Sequence, residues 1–346
     1  MNVRAPGLLR LRSCERRARR LPDVRPPARG TLPIASTLND DAQPSRIRVH
    51  AHVPLSAILL ITASVLCFTI LDAVVKSLTQ RHPVPLLVWA RYGVQALAMA
   101  LWLLPQMGTA LLRTRRLRLH LVRGAILPFS SLCFFTALKY LPLAEATAIN
   151  YTTPVLVIIL AVIFLGERMT RSRIALVIAG IAGMFIIVRP GSEVFQGAAL
   201  LALGAAVFYG TFQILTRKLA SEDSRVLLFY PAIVGTLMMT VALPWYGVAV
   251  EVPWPDVLLI VVTGLLGTLG HFLFILAFQR APASALTPFT YMQLVWATLI
   301  GWFAFGNFPD AWTLAGMAVI TGSGLLIALH ERRRARGLLR EPTAVD

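Results

Sequence analysis

Shifted by 140 positions, the stretch 137–175 lies on 277–315 without a gap. Ala137, Pro142, Thr147, Tyr151, Val155, Gly166 and Ala175 fall on Ala277, Pro282, Thr287, Tyr291, Val295, Gly306 and Ala315. A shift of 141 sets Leu59, Leu60, Lys76 and Leu78 against Leu200, Leu201, Arg217 and Leu219. Each copy carries five apolar runs: 55–75, 85–104, 121–140, 145–165 and 172–188, then 197–216, 226–246, 256–278, 284–305 and 310–329. Apolar runs of about 17–25 residues are long enough to cross roughly 30 Å of hydrocarbon as helices. Short alternating segments, the mark of a membrane β-barrel, are not the pattern here. The expected fold is an all-α membrane protein of ten transmembrane helices in two five-helix repeats. Five crossings is an odd number, so the second repeat enters from the opposite side and the repeats are inverted.

Composition agrees. Hydrophobic residues make up 57% of the chain and charged residues 14%, and mean hydropathy is +0.70, whereas soluble domains carry about 25% charge. The repeats are expected at 53–190 and 195–330, with a basic cytoplasmic tail at 331–346. Residues 1–52 hold eleven Arg and no apolar core that precedes a cleavage site, so they do not form a secretory signal. They are read as a disordered cytoplasmic tail; an organellar transit peptide or a misread start codon remain open. Cys14, Cys67 and Cys133 have no metal-ligand spacing and no disulfide framework.

A net charge of +17 raises nucleic acid as a partner, but the basic residues sit in tails and alternate loops. With the N-terminus placed in the cytoplasm, sixteen Lys and Arg outside the first tail fall in cytoplasmic loops and the C-terminal tail. They include Arg113, Arg168, Arg217, Arg280 and Arg332. Only four (Lys76, Arg81, Lys139, Arg189) fall opposite. The positive-inside rule then sets both termini in the cytoplasm of a multi-pass protein of the plasma (inner) membrane. Nucleic acid is excluded as a partner. Membrane lipid and a small-molecule substrate are expected, and a homodimer is left open. No phosphate loop, metal spacing or nucleophile set appears, so neither an enzyme nor a cofactor is expected.

Ionisable residues within spans are expensive and tend to face a cavity. Asp72 and Lys76 share one face of the first span. Arg91 lies roughly 9 Å into the second, at 1.5 Å per residue. Lys139 and Glu145 flank the turn between the third and fourth. These five charges are expected to gather at the outer mouth of the first repeat. Asp72 and Arg91 either engage substrate and each other in alternate states, or form a permanent pair that locks two helices. Tyr151 and Tyr291 are pseudo-symmetric. With Asn150, Gln213, Gln293, Trp89, Tyr92, Tyr209 and Trp296 they are candidates to line a midplane cavity, since small-molecule sites combine apolar walls with a few placed polar groups. His271 is a lesser candidate as a proton relay. Glu167 and Arg168 are read as a structural ion pair. Pro128, Pro154, Pro231 and Pro288 interrupt spans and are expected to bend them.

The run from Phe134 through Lys139, Tyr140, Leu141, Pro142 and Glu145 to Ile149 resembles the span 3–4 hairpin of EamA-type carriers. Phe164-Leu165-Gly166-Glu167-Arg168 resembles that family's signature after the fourth span; Gly306-Asn307-Phe308 departs from it in the second copy. These carriers belong to the drug/metabolite transporter superfamily. The resemblance implies a ten-helix bundle of inverted halves that moves small metabolites by alternating access. Leu71-Asp72-Ala73-Val74-Val75-Lys76 with Trp89-Ala90-Arg91-Tyr92 is similar to the subset that includes riboflavin and S-adenosylmethionine carriers. The expected function is a secondary transporter of small polar or amphipathic metabolites such as amino acids, vitamins, nucleoside-like compounds or drugs, coupled to protons. A lipid-linked-substrate flippase and a non-transporting membrane sensor are the rivals.

Overall fold

The computed structural model describes residues 54–166, 171–189, 197–219, 221–246, 251–281 and 283–338. The expectations for residues 1–52 and for Glu167 and Arg168 lie outside these. Among the described residues, twelve α-helices follow in chain order. In the first half they are α1 (Leu55–Leu78), α2 (Val84–Met107), α3 (Leu117–Tyr140), α4 (Leu143–Asn150), α5 (Thr153–Leu165) and α6 (Arg171–Val188). In the second they are α7 (Gly197–Lys218), α8 (Ser224–Ala242), α9 (Trp254–Arg280), α10 (Ala283–Thr290), α11 (Met292–Phe305) and α12 (Ala311–Leu338). Among the described residues, eight helical segments are long and apolar enough to cross a membrane, with α4 and α5 counted as one. A further apolar stretch, Ile174–Val188, is shorter.

Two expected spans are each broken into two helices, at equivalent tyrosines. Pro154 has no N–H for the carbonyl of Asn150, and its ring crowds that carbonyl. The Thr153 hydroxyl donates to Asn150 O instead (2.6 Å), and the Thr152 hydroxyl donates to Ile149 O (2.7 Å). In the second half, Leu294 N–H turns to Tyr291 O (3.0 Å), which leaves Thr290 O for another donor. In an apolar medium each such carbonyl must find a partner, and short hydroxyl side chains supply it. Gly166 and Gly306, 140 residues apart, end α5 and α11 in left-handed conformation, at φ 67° and 70°, where a Cβ would be strained.

Helices of one half pack chiefly on helices of the other: α1 on α9, α3 on α7, α6 on α12, and α2 on both α8 and α9. With no hydrophobic drive between helices in lipid, close approach depends on small residues. At the α6–α12 crossing, a Cβ on Gly316 would meet Gly183 O at 2.7 Å. On α9, a Cβ on Gly264 would strike Val94 at 2.5 Å and one on Gly270 would strike Phe68 at 2.7 Å. Hydroxyls add cross-half bonds, from Ser64 to Gly270 O (2.7 Å) and from Ser130 to Ala205 O (2.9 Å). Two ends of the bundle serve as landmarks. The Leu141 end gathers the α1–α2 and α3–α4 turns, the start of α9 and the α11–α12 loop. The Leu219 end gathers the start of α3 and the α7–α8 turn.

Candidate functional site

Three buried charges of α1 and α2 meet different fates. Lys76 Nζ donates to Leu138 O (2.8 Å) and Leu141 O (2.7 Å) at the end of α3. Pro142 stands four residues after Leu138 and has no N–H to give it, so Lys76 fills that gap and also complements the negative end of the helix dipole. Its ammonium lies 5.6 Å from the Phe305 ring centre. Lys76 is thereby committed to helix capping. Asp72, one turn back, is 8% exposed, yet among the described residues it makes no hydrogen bond and no ion pair. Arg91 is equally buried. Its Nη1 donates to Ser131 Oγ (3.2 Å), and its guanidinium lies 5.1 Å from the Tyr92 ring centre and 5.6 Å from that of Phe135. Tyr92 Oη shares the same Ser131 hydroxyl (2.9 Å). Asp72 and Arg91 stand beyond ion-pair distance in this structure, in which Arg91 turns toward Ser131 on α3.

Of the five charges expected together, Lys76, Lys139 and Glu145 lie about the α3–α4 turn. Lys139 is exposed, with its ammonium 5.9 Å from the Tyr140 ring centre. Glu145 is buried in the first turn of α4, and its Oε2 has no hydrogen-bond partner among the described residues. Trp89 faces away from Arg91 and donates from Nε1 to Thr240 Oγ1 on α8 (2.8 Å). Asn150 Oδ1 and Trp296 Nε1 are buried without partners. Gln213 is half-buried on α7, and its side chain makes no hydrogen bond among the described residues. His271 meets Phe68 edge to face at 5.0 Å.

The structure does bring Tyr151, Tyr291 and Gln293 together. Tyr151 Oη donates to Thr290 O (2.6 Å), the carbonyl freed by the second helix break, and stands 3.0 Å from Gln293 Oε1. The two tyrosine rings are 5.2 Å apart and tilted by 52°. Two recesses, of about 500 and 510 Å³, lie elsewhere. One is an apolar groove along α9 beside Trp102, and the other runs along α11 beside Trp296. Neither touches Asp72 or Arg91.

This placement of sparse charge inside an apolar two-repeat bundle can be set against known proteins. The model of the EamA-like transporter family matches residues 55–189 and 196–329. This chain belongs to that family. Among relatives of this EamA-like transporter is an S-adenosylmethionine uptake transporter of Rickettsia bellii, 31% identical over 65% of this chain and 77% of that one. A pseudopaline exporter of Pseudomonas aeruginosa is 29% identical over 77% of this chain and 93% of its own. A riboflavin transporter of Rhizobium johnstonii is 29% identical over 78% and 90%. A solved crystal structure covering 81% of this chain and 98% of its own aligns with a TM-score of 0.58 at 20% identity, which shows a shared fold.

The structure of this EamA-like transporter also adds residues that the sequence reading passed over. At the Leu141 end, Asp256 at the start of α9 is 2.6 Å from His82 Nε2 and 2.7 Å from Arg81 Nη1. Nearby, Arg189 Nη2 pairs with Asp310 Oδ2 (2.7 Å). At the Leu219 end, Arg123 donates to Thr216 Oγ1 and Leu227 O (both 2.7 Å) and lies 4.1 Å from the Phe212 ring centre. Every one of these ties joins the first half to the second. Arg123 sits within the 121–140 run, so the rule that singled out Arg91 applies to it too. The His82–Asp256 contact, 174 residues apart in the chain, has no local signal.

Proposed function

We propose that this protein is a secondary carrier of small polar or amphipathic metabolites that works by alternating access. In this reading ten spans form two inverted repeats, 53–190 and 195–330, in the plasma (inner) membrane with both termini cytoplasmic. The observation that carries the reading is the pair Asp72 and Arg91: opposite charges, both buried within an apolar bundle, unpaired with each other. Burying a charge without a partner is costly, and inside membranes such residues mark substrate or ion pathways. Relatives that carry S-adenosylmethionine, pseudopaline and riboflavin support a cargo of that size and polarity. Asp72 holds or releases a proton as Arg91 swings between Ser131 and the substrate, which couples flux to the proton gradient. The cross-half ties at the two ends act as gates that open in turn. Tyr92, Tyr151, Gln293 and Tyr291 form the wall between them.

The test is flux of S-adenosylmethionine, riboflavin and amino acids in proteoliposomes holding the full chain. Alanine at Asp72 or at Arg91 abolishes flux while the protein stays folded, and collapse of the proton gradient stops uphill movement. Full flux in both variants would overturn the site assignment. Flux that ignores the gradient would overturn the coupling.

A further inference from the structure

Three glycines stand three apart on α9, and packing accounts for two of them. A Cβ at Gly264 or Gly270 would collide with Val94 or Phe68, as described above. A Cβ at Gly267 would not: its neighbours would be Leu71 Cδ1 at 3.4 Å, Arg91 Nε at 3.6 Å and Gln95 Oε1 at 3.6 Å, all ordinary contacts. The bare backbone at Gly267 therefore leaves room that helix packing does not require. Two polar atoms border that room, and neither has a hydrogen-bond partner: Arg91 Nε, a donor, and Gln95 Oε1, an acceptor. Arg91 is 8% exposed and Gln95 4%. Both lie 3.6 Å from one point, so they are at most about 7 Å apart, and Asp72 follows Leu71 on the facing helix.

A donor with positive charge, a neutral acceptor and a nearby carboxylate, gathered over one bare stretch of backbone, define a ligand group. Resting on the carrier reading above, we propose that Gly267 floors a subsite for the zwitterionic head of an α-amino-acid-type metabolite. The ligand carboxylate accepts from Arg91 Nε–H. The ligand ammonium, on the adjacent carbon, donates to Gln95 Oε1, and Asp72 balances its charge. Charge bookkeeping favours a zwitterion over a singly charged ligand. With Asp72 ionised, Arg91 and Asp72 sum to zero, and a zwitterion keeps that pair neutral both empty and filled. A lone anion or cation would bring uncompensated charge into an apolar bundle.

The experiment measures the melting temperature of the purified full-length protein in detergent, since a ligand that binds only the folded state raises it. The probes are L-α-amino acids of varied side chain, each with its methyl ester and its N-acetyl derivative, plus uracil as a neutral donor–acceptor edge. The parent amino acid stabilises best, and loss of either charge weakens binding by about tenfold or more, the effect of one charge-assisted hydrogen bond. Arg91→Gln erases the preference for parent over ester, and Gln95→Leu erases the preference for parent over N-acetyl derivative. Gly267→Ala weakens the parent by a similar factor while the unliganded melting temperature holds or rises. The proposal is overturned when ester or N-acetyl derivative matches its parent in the unaltered protein, when uracil alone stabilises, or when no amino acid does at millimolar concentration. Flux that depends on Asp72 and Arg91 without any head-group preference overturns this subsite and leaves the carrier reading standing. Absence of flux overturns the carrier reading, whatever binds.

Discussion

Tyr151 and Tyr291 stand at equivalent helix breaks, 140 residues apart, yet their side chains take different paths. Tyr151 reaches across the half boundary to Thr290 O and Gln293 Oε1. Tyr291 stays within its own half and lays its ring against Gly324, so closely that a Cβ there would overlap the phenol. The repeats also differ one helix away. The 140-residue shift sets Met184 opposite Gly324. Met184 is a buried core residue at 9% exposure, so the first half carries a side chain where the second has bare backbone. Repeated backbone with unrepeated side chains turns two equal breaks into one hydrogen-bonded tie and one packed ring. Symmetric backbones supply matching hinges, and the asymmetry of the packing decides what each hinge holds.

That comparison can be broken in order of expected effect. Met184→Ala empties the core position and costs about 2–5 kcal/mol, the usual range for buried Met→Ala; unfolding in detergent reads it. A smaller loss, or a gain of Tyr151 mobility without loss, would mean Met184 does not hold Tyr151 out. Gly324→Ala pushes on the Tyr291 ring and costs about 1–3 kcal/mol as overpacking. A crystal or spin-label distance should show Tyr291 displaced while Tyr151 stays put. Tyr151→Phe orphans Thr290 O and loses about 1–2 kcal/mol. Tyr291→Phe, whose hydroxyl has no hydrogen-bond partner among the described residues, should be within about 0.5 kcal/mol of the parent. Equal effects of the two substitutions would erase the distinction drawn here.

A further effect, smaller than that of Tyr151→Phe, concerns a tie with no repeat-equivalent, since Arg189 maps to Leu329. Arg189 sits at φ 43°, an unfavourable backbone for a side-chain-bearing residue, and pairs with Asp310. Asp310 Oδ1 also accepts from Thr313 N–H (2.8 Å) at the start of α12. That backbone bond first, then the Thr313 hydroxyl and Arg189, hold the Asp310 carboxyl below its ordinary value of 3.8. A depressed folded value means the stabilisation is complete above pH 3.8 and fades as pH falls through the lowered value. Asp310→Asn should cost about 0.5–1 kcal/mol at neutral pH and flatten this acid limb in a melting profile. An unchanged acid limb would assign it to other groups.

Much of the architecture was legible in the chain. Apolar run length, the 140-residue self-match and the terminal glycines at 166 and 306 depend only on local chemistry and on spacing, and local chemistry survives into any packing. The same holds for the prolines, although a run such as 145–165 reads as one span. Its break at Tyr151 comes from hydrogen bonds that Thr152 and Thr153 redirect. Candidate residues were legible as a set, because any charge in an apolar span stands out. Their pairings were not. Lys76 and Asp72 look alike in sequence, four residues apart on one face. Only the fold places the end of α3 within reach of Lys76 and turns Arg91 toward Ser131, away from Asp72. Gly267 looks no different from Gly264 and Gly270 until Val94 and Phe68 are seen against its neighbours. Sequence determined which residues lie within the apolar bundle and how the chain repeats, because hydrophobicity and backbone sterics act along the chain. Tertiary structure decided which buried groups are satisfied and which remain open, because a hydrogen bond between residues 62 or 174 positions apart exists only once the helices have chosen their neighbours.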